Sequence, residues 1–269
     1  MAVANPVVSA FRWYSGRARR RRAAVFRALF DLDEGTRVLD LGSGDGSHLH
    51  SILADTRIRR CNVFIADIDR NALAAGHRRY GYTPVEIDES TSLPFPDGFF
   101  DVVYCSSVIE HVTIPKASVW SVRCGREFRA RALTRQRQFA AEIERLGRQY
   151  FVQTPNRYFP LESHSWLPFV SYLPRPALVP LLGMTNRFWV KQSAPDWNLL
   201  DRTELSELFT GATIVEERSC GLAKSLMAIR TAGKTEPSAQ MPDARRHKRR
   251  AAVLPVSRPG TTPSGELSS

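Results

Sequence analysis

The chain has few cysteines, four among its 269 residues, and they are not clustered. Cys61, Cys105, Cys124 and Cys220 form no CxxC pair and have no histidine at the spacing of metal ligands. Cysteine-based zinc sites need such clusters, so we expect no metal site. Scattered thiols are typical of reduced cysteines, which indicates a cytoplasmic protein.

The sequence also lacks a long uninterrupted apolar run. The most apolar later segment, residues 167–184, contains four prolines and the central Arg175. A segment broken in this way does not suit a membrane span, although it could touch a membrane interface. The N-terminus has no apolar region of the signal-peptide type, so we expect a cytoplasmic protein that is at most peripheral to the membrane.

Acidic residues are outnumbered, because 38 lysines and arginines stand against 27 aspartates and glutamates, giving a net charge of +11. The basic residues cluster near the two ends, at 17–22 and 245–250. Such runs can bind nucleic acid or an anionic membrane, but they also form solvated helix faces and tails. From residue 233 the sequence loses its periodicity and is rich in Pro, Ser and Arg, which predicts a disordered tail over 233–269.

What remains is a regular alternation of apolar strand-like runs and amphipathic helical stretches. This alternation predicts an α/β fold with a mostly parallel sheet and helices on both faces. The expected strands are RVLDL, NVFIAD, TPVEI, DVVYCSS and YFVQTP, followed by an antiparallel hairpin of TIVEERS and LAKSLMAIR. The expected helices cover 17–32, 47–54, 70–76, 135–149 and 201–210, with Asp69 and Asp201 as N-caps and Glu204 completing a capping box.

The same pattern divides the chain into three parts. Residues 1–34 form an N-terminal helical segment, 35–232 the main domain, and 233–269 the tail. Within the main domain, residues 113–133 have no clear period and are interpreted as an insertion. Residues 155–200 are rich in proline and aromatic residues, which is typical of a lid or substrate loop rather than of a sheet element.

The stretch VLDLGSGDGSH, residues 38–48, puts an acid and three glycines at the end of an apolar strand. Glycines admit positive φ angles and let a ligand approach the backbone closely. The spacing is GxGxG rather than the GxGxxG that holds a dinucleotide pyrophosphate, and Asp40 would repel a pyrophosphate. The loop therefore favours a ligand with a cationic group, such as S-adenosylmethionine. Asp67, at the end of the next strand, is placed to bind both ribose hydroxyls.

Four stretches carry a resemblance to a known family: VLDLGSGDGSH, IADIDRNAL, LPFPDGFFDVVYCSSVIEHV and YFVQTPN. They resemble successive motifs of class I S-adenosylmethionine-dependent methyltransferases, most of all the methyltransferase type 11-like subgroup with the ubiquinone and menaquinone biosynthesis enzymes. The resemblance covers residues 35–155 firmly and 200–231 loosely. It implies a Rossmann-like sheet of seven strands in the order 3-2-1-4-5-7-6, with the last strand antiparallel.

The resemblance also implies roles for individual residues. Ile68 would pack on the adenine, and either Asp88 or Glu89 would meet the adenine amino group. Either Cys105 or Ser106 would lie under the sulfonium. The remaining contacts would line the methionine end with Asp40, Gly42, Ser43, Gly44 and Gly46, and hold the ribose with Asp67.

Two histidines are candidates for positioning or deprotonating the acceptor, because imidazole titrates near neutral pH. His111 follows the fourth strand, and His164 follows the fifth, with Glu162 two residues before it. We expect the aromatic loop to form the acceptor pocket, with Tyr158, Glu162, His164 and Trp166 as its lining. A small-molecule or lipid-like acceptor is favoured, with methylation on oxygen or carbon.

Nucleic acid is disfavoured as the acceptor. CSSV stands where enzymes that methylate nucleic-acid amino groups resemble one another in NPPY or DPPY. The sequence departs from the family after IEHV, where the insertion at 113–133 precedes the expected helix. This departure leaves open a degenerate fold that binds cofactor or a partner without turnover. The sequence does not determine the acceptor molecule or the oligomeric state.

Overall fold

The computed structural model describes residues 6–42, 44–88 and 92–233 of the chain. Its strands are β1 Val38–Leu41, β2 Val63–Asp67, β3 Thr83–Glu86, β4 Phe100–Ser106, β5 Gly147–Pro155, β6 Thr213–Ser219 and β7 Leu222–Arg230. They form a seven-stranded sheet in the order β3-β2-β1-β4-β5-β7-β6. Strand β7 pairs antiparallel with both of its neighbours, and the other pairs are parallel. The predicted fold class and strand order are confirmed.

Helices cover both faces of this sheet. They are α1 Pro6–Leu29, α2 Ser47–Leu53, α3 Arg70–Tyr80, α4 Gly125–Leu146, α5 Arg175–Thr185 and α6 Arg202–Leu208. Helices α1, α2 and α3 pack their apolar sides on one face, in a core cluster that includes Phe26, Leu49 and Leu73. Helices α4 and α6 pack on the other face, in a cluster that includes Ile143 and Leu205.

Local chemistry fixes several element boundaries as predicted. The Asp69 carboxylate accepts hydrogen bonds from the first turn of α3, and Asp201 and Glu204 form a full capping box at α6. The hairpin of β6 and β7 has the predicted bounds. These features were predictable because caps and alternating strands depend on neighbouring residues alone.

The predicted start of the fourth helix, at residue 135, is wrong, because residues 125–133 of the segment interpreted as an insertion are helical. Helix α4 begins at Gly125 and ends at Leu146, so β5 already begins at Gly147. Phe128, Ala132, Gln136 and Phe139 are buried at helical spacing. The polar Gln136 breaks the apolar pattern in the sequence, and its buried amide donates to the carbonyl oxygens of Ile109 and Asn198 at 2.9 and 3.0 Å.

Two other helices differ from the prediction: one is longer than expected, and the other was not expected. Helix α1 starts at Pro6 instead of residue 17, and α5 lies inside the region interpreted as a lid. Pro176 occupies the first turn of α5, where a proline is tolerated. Within the described ranges, no helix is both long and apolar enough to cross a membrane. The predicted tail, apart from Gly233, lies outside the described residues.

Candidate functional site

The glycine loop joins the end of β1 to the start of α2. The Gly42 N–H donates to the Ala66 carbonyl oxygen at 2.8 Å, which holds the loop against β2. Gly42 has φ of 77°, and a Cβ there would lie 2.4 Å from a methyl carbon of Val108. Gly46, the N-cap of α2, also has positive φ. The close packing explains why glycine occupies these positions, while Ser43 lies outside the described residues.

Asp67 ends β2 beside this loop. Its carboxylate accepts hydrogen bonds from the N–H groups of Gly44, at 2.7 Å, and Asp69, at 2.9 Å. Two amides therefore fix the carboxylate at the carboxyl edge of the sheet, where ligands bind in such folds. Ile68 is 47% exposed beside it, so its side chain is free to pack on a ligand. Asp88 is exposed after β3, and Glu89 lies outside the described residues.

Asp40 is a buried acid within β1, with 4% of its surface exposed. Burial, together with the negative charges of Asp67 and Asp45, raises the pKa of Asp40 to about 8. The carboxyl group is therefore protonated at neutral pH unless a cation approaches it. A ligand ammonium group would favour the ionised form, as the sequence argument requires.

A cavity of about 670 Å³ opens from Asp40 and Gly42 across the carboxyl ends of β4 and β5. Ser106 and Gln153 form its floor, and the Ser106 hydroxyl donates to Gln153 Oε1 at 2.7 Å. The volume is within the range of small-molecule sites, about 300–1,000 Å³. Cys105, the alternative to Ser106, points to the opposite face of the sheet and is fully buried in the core with α4. The alternation of side chains along β4 thus favours Ser106.

One wall of the cavity is basic, which the sequence analysis did not predict. Arg19 and Arg22 on α1 line it, together with Lys191 and Lys224. Among the described residues, the Arg22 Nε is buried and finds no hydrogen-bond partner. Burial lowers the pKa values of Lys191 and Lys224. The sequence feature that could have indicated this basic wall is the helical spacing of Ser15, Arg19 and Arg22. This spacing puts the three cavity-lining residues on one side of α1.

His164 also lines the cavity and lies between two carboxylates. Its Nδ1 is 2.6 Å from Glu162 Oε1, and its Nε2 is 3.4 Å from Glu110 Oε1. Burial alone would lower the pKa of His164, but hydrogen bonding and charge from Glu110 and Glu162 raise it to about 9. His164 is therefore an imidazolium at neutral pH when no other cation is bound. In that state it has no free nitrogen to accept a proton, which argues against the predicted role of general base.

Glu162 organises this loop. Its carboxylate also accepts hydrogen bonds from the N–H groups of His164 and Ser165, each at 2.6 Å. Burial would raise the pKa of Glu162, but the hydrogen bonds and charge of His164, aided by Ser165, lower it to about 2. Glu162 therefore stays ionised and holds the loop after β5 in place.

His111 stands next to His164, with the ring centroids 4.4 Å apart and the rings nearly perpendicular. Its Nδ1 is 3.2 Å from Asp196 Oδ1. His164 is among the described residues that line the cavity, whereas His111 is not. The structure thus brings the two candidate histidines together in a single cluster.

Of the two aromatic residues predicted to line the acceptor pocket, one lines the cavity and the other does not. Trp166 lines the cavity, and the Lys191 ammonium lies 4.8 Å from its ring centroid. Tyr158 is 59% exposed and is not part of the lining that the described ranges provide. Phe159 and Leu161 face the cavity instead. In a regular strand, the alternation of side chains would have indicated that Phe159 and Leu161 share one face and Tyr158 the other. This segment is not a regular strand, so the sequence did not indicate which residues face the cavity.

A family model matches the part of the chain that contains the glycine loop. Residues 38–126 match a family model described as a methyltransferase domain. No curated protein matches the chain by sequence.

Solved structures share the fold at low sequence identity. Magnesium protoporphyrin IX methyltransferase from Synechocystis PCC 6803 with bound SAH is similar, with a TM-score of 0.51 and 15% identity over 86% of this chain and 90% of that chain. The same enzyme with bound SAM gives a TM-score of 0.47 and 15% identity over 86% of each chain. A SAM-dependent methyltransferase from Aquifex aeolicus gives 0.40 and 13% identity over 74% of this chain and 84% of that chain.

The narrower resemblance to the ubiquinone and menaquinone biosynthesis enzymes stays a prediction. The domain match and the strand order agree with each other and with the glycine loop. Residues 38–126 are therefore similar to a methyltransferase domain, and the sheet has the strand order that the resemblance to class I S-adenosylmethionine-dependent methyltransferases implies.

Proposed function

We propose that the protein transfers the methyl group of S-adenosylmethionine to a small or lipid-like acceptor that carries negative charge. One observation carries the proposal: a single cavity joins the glycine loop, at Asp40 and Gly42, to the basic wall of Arg19, Arg22 and Lys191. A cofactor held at the loop would present its sulfonium to whatever occupies the rest of the cavity. Aligning donor and acceptor in this way can supply about 7–11 kcal/mol of the barrier.

The cofactor would use the groups already arranged at the carboxyl edge of the sheet. Asp40 would face its ammonium group, and Asp67 its ribose hydroxyls. Gly42, Gly44 and Gly46 would allow it to approach the backbone, and Ser106 would lie near the sulfonium. Ser43, Ile68, and Asp88 or Glu89 complete the proposed contacts. A carboxylate whose backbone partners are already in place keeps lone pairs for charge-assisted hydrogen bonds to a ligand.

The acceptor would be an acid methylated on oxygen. Arg22 is nine-tenths buried and its Nε has no partner among the described residues, so a bound anion would satisfy it. A basic wall keeps a carboxyl or phenol group of the acceptor ionised, and an ionised oxygen needs no general base. His164, whose two ring nitrogens face Glu162 and Glu110, is then not needed as a base and can help to position the acceptor. Carbon remains the alternative acceptor atom.

The main test is to supply the purified protein with cofactor labelled in its methyl group and a pooled extract of small acids and lipids. We expect the label in products formed from anionic acceptors, as methyl esters of carboxylic acids or methyl ethers of phenols. Arg19→Ala and Lys191→Ala should each raise the KM for the acceptor about tenfold or more, because each removes one charge partner. Arg20→Ala is the matched control, since Arg20 is exposed on the same helix and is not among the described lining residues.

Two results would contradict the proposal. Label found in neutral acceptors alone, with unchanged KM in the lysine and arginine variants, would exclude an anionic acceptor. Cofactor binding without any turnover would favour the degenerate fold. Helix α4 begins within the segment interpreted as an insertion and is complete from Gly125 to Leu146, which supports an intact domain over the degenerate fold.

A further inference from the structure

We propose that Glu110, His111 and His164 bind a divalent transition-metal ion beside the cavity. One ligand atom from each side chain can be chosen so that all three lie within 4.8 Å of one another. Metal–ligand bonds of about 2.0–2.2 Å would require these three atoms to move closer to one another. Two imidazoles and a carboxylate are a known ligand set for zinc.

Glu110 is oriented for such a role. Its side chain is fully buried, and the Thr154 hydroxyl donates to its Oε2 at 3.0 Å. Its Oε1 lies 3.4 Å from His164 Nε2, at the long limit of a hydrogen bond, and has no closer hydrogen-bond partner among the described residues. A metal ion between this oxygen and the imidazole would bind the buried carboxylate more closely than this long contact does.

The outer partners of the two histidines are an independent sign of a metal site. Each ring places Nδ1 against a second carboxylate: His164 against Glu162 at 2.6 Å, and His111 against Asp196 at 3.2 Å. Metal-binding histidines commonly donate one ring N–H to a carboxylate, which orients the other nitrogen towards the metal. With both Nδ1 atoms against carboxylates, the Nε2 atoms are the ones that would bind an ion, and that of His164 already lies 3.4 Å from Glu110 Oε1.

The chemistry of the ligands selects the class of ion. Imidazole nitrogen suits zinc, iron, nickel and copper, whereas magnesium and calcium prefer oxygen ligands throughout. His164 lines the cavity, so a coordination position left open by the protein would face the acceptor. A metal there would act as a Lewis acid on an acceptor oxygen.

Cobalt binding to the chelator-treated full-length protein tests the site without requiring activity. We expect one Co²⁺ per chain, with visible d–d absorption, and quenching of Trp197, whose ring centroid is 6.2 Å from that of His164. Zn²⁺ should displace the cobalt. Glu110→Gln and His111→Ala should weaken binding at least a hundredfold, and Glu162→Gln about 10–100-fold, since it removes an outer partner only.

His77→Ala is the matched control, because His77 is exposed on α3 and its Nδ1 lies 2.7 Å from the Tyr82 carbonyl oxygen. Its cobalt binding should equal that of the unchanged chain. If Glu110→Gln does not fold, His111→Ala alone decides, since the His111 side chain is 32% exposed. Absence of stoichiometric cobalt binding, or binding that is unchanged in His111→Ala, would overturn the proposal and leave His164 as a buried imidazolium. Because the readout is metal binding, this outcome is independent of whether the acceptor is an anion.

Discussion

At the scale of single residues, the site is defined by acids whose charge depends on what binds next to them. Asp40 is the clearest case, because it is buried in β1 and faces the cavity. Its raised pKa means that the free protein holds a proton there at neutral pH. A cationic ligand would lower that pKa, so cofactor binding and proton release should be coupled.

The first prediction is that the affinity for S-adenosylhomocysteine rises with pH. Below about 8 the free protein must lose the Asp40 proton to bind an ammonium group, so binding should be weaker at pH 6.5 than at pH 8.5. The difference should approach tenfold per pH unit below 8 and disappear above it. Calorimetry in two buffers with different ionisation enthalpies measures both the affinity and the released proton.

Asp40→Asn is the control for this prediction. It cannot release a proton, so its affinity should be weaker at pH 8.5 and nearly constant across the range. Equal affinity of the unchanged protein at both pH values would show that Asp40 does not face the cation.

At the scale of elements, the glycines of the loop after β1 are required for two different physical reasons. Gly42 and Gly44 both have positive φ, but their surroundings differ. A Cβ at Gly42 would collide with Val108, whereas a Cβ at Gly44 would have nothing within 4 Å. The two positions therefore separate the cost of backbone strain from the cost of overpacking.

The second prediction is that Gly42→Ala destabilises the protein more than Gly44→Ala. Both variants should lose about 1–2 kcal/mol of unfolding free energy to left-handed strain. Gly42→Ala should lose about 1–3 kcal/mol more from the collision. Urea denaturation measures both. Adding Val108→Ala should recover part of the loss in Gly42→Ala and none in Gly44→Ala, and a uniform effect would refute the packing argument.

The elements also show what a sequence can predict. Caps, the closing hairpin and the glycine turn depend on residues a few positions apart, and the sequence predicted them well. Helix α4 was placed too late, because the buried Gln136 interrupts its apolar face and makes its contacts with residues far along the chain. The cluster around His164 was missed for the same reason, since Glu110 and Asp196 reach it from distant segments.

At the scale of the whole molecule, the N-terminal helix is part of the core. Phe26 of α1 is fully buried, and its ring centroid is 4.7 Å from that of Phe30, 5.3 Å from that of Tyr104 and 5.7 Å from that of Phe151. The last two rings belong to the central strands β4 and β5. The predicted boundary at residue 34 stays a prediction, but this packing argues that α1 does not act as a separate appendage.

The third prediction is that Phe26→Ala lowers the free energy of unfolding by about 3–5 kcal/mol, the usual cost of removing a buried aromatic ring. Phe188→Ala, at a position that is 69% exposed, should change it by less than about 0.5 kcal/mol. Thermal and urea unfolding measure both variants. A small effect of Phe26→Ala would mean that α1 is only loosely attached to the sheet.

The ion pair between Arg22 and Glu217, at 3.8 Å, joins the first helix to a strand near the end of the domain. The ribosome makes Arg22 early and Glu217 almost two hundred residues later. Glu217, the ion-pair partner of Arg22, and Lys224, which also lines the cavity, are therefore synthesised after the whole glycine loop. The cavity lining is complete only when both the first helix and the last strand of the domain are in place.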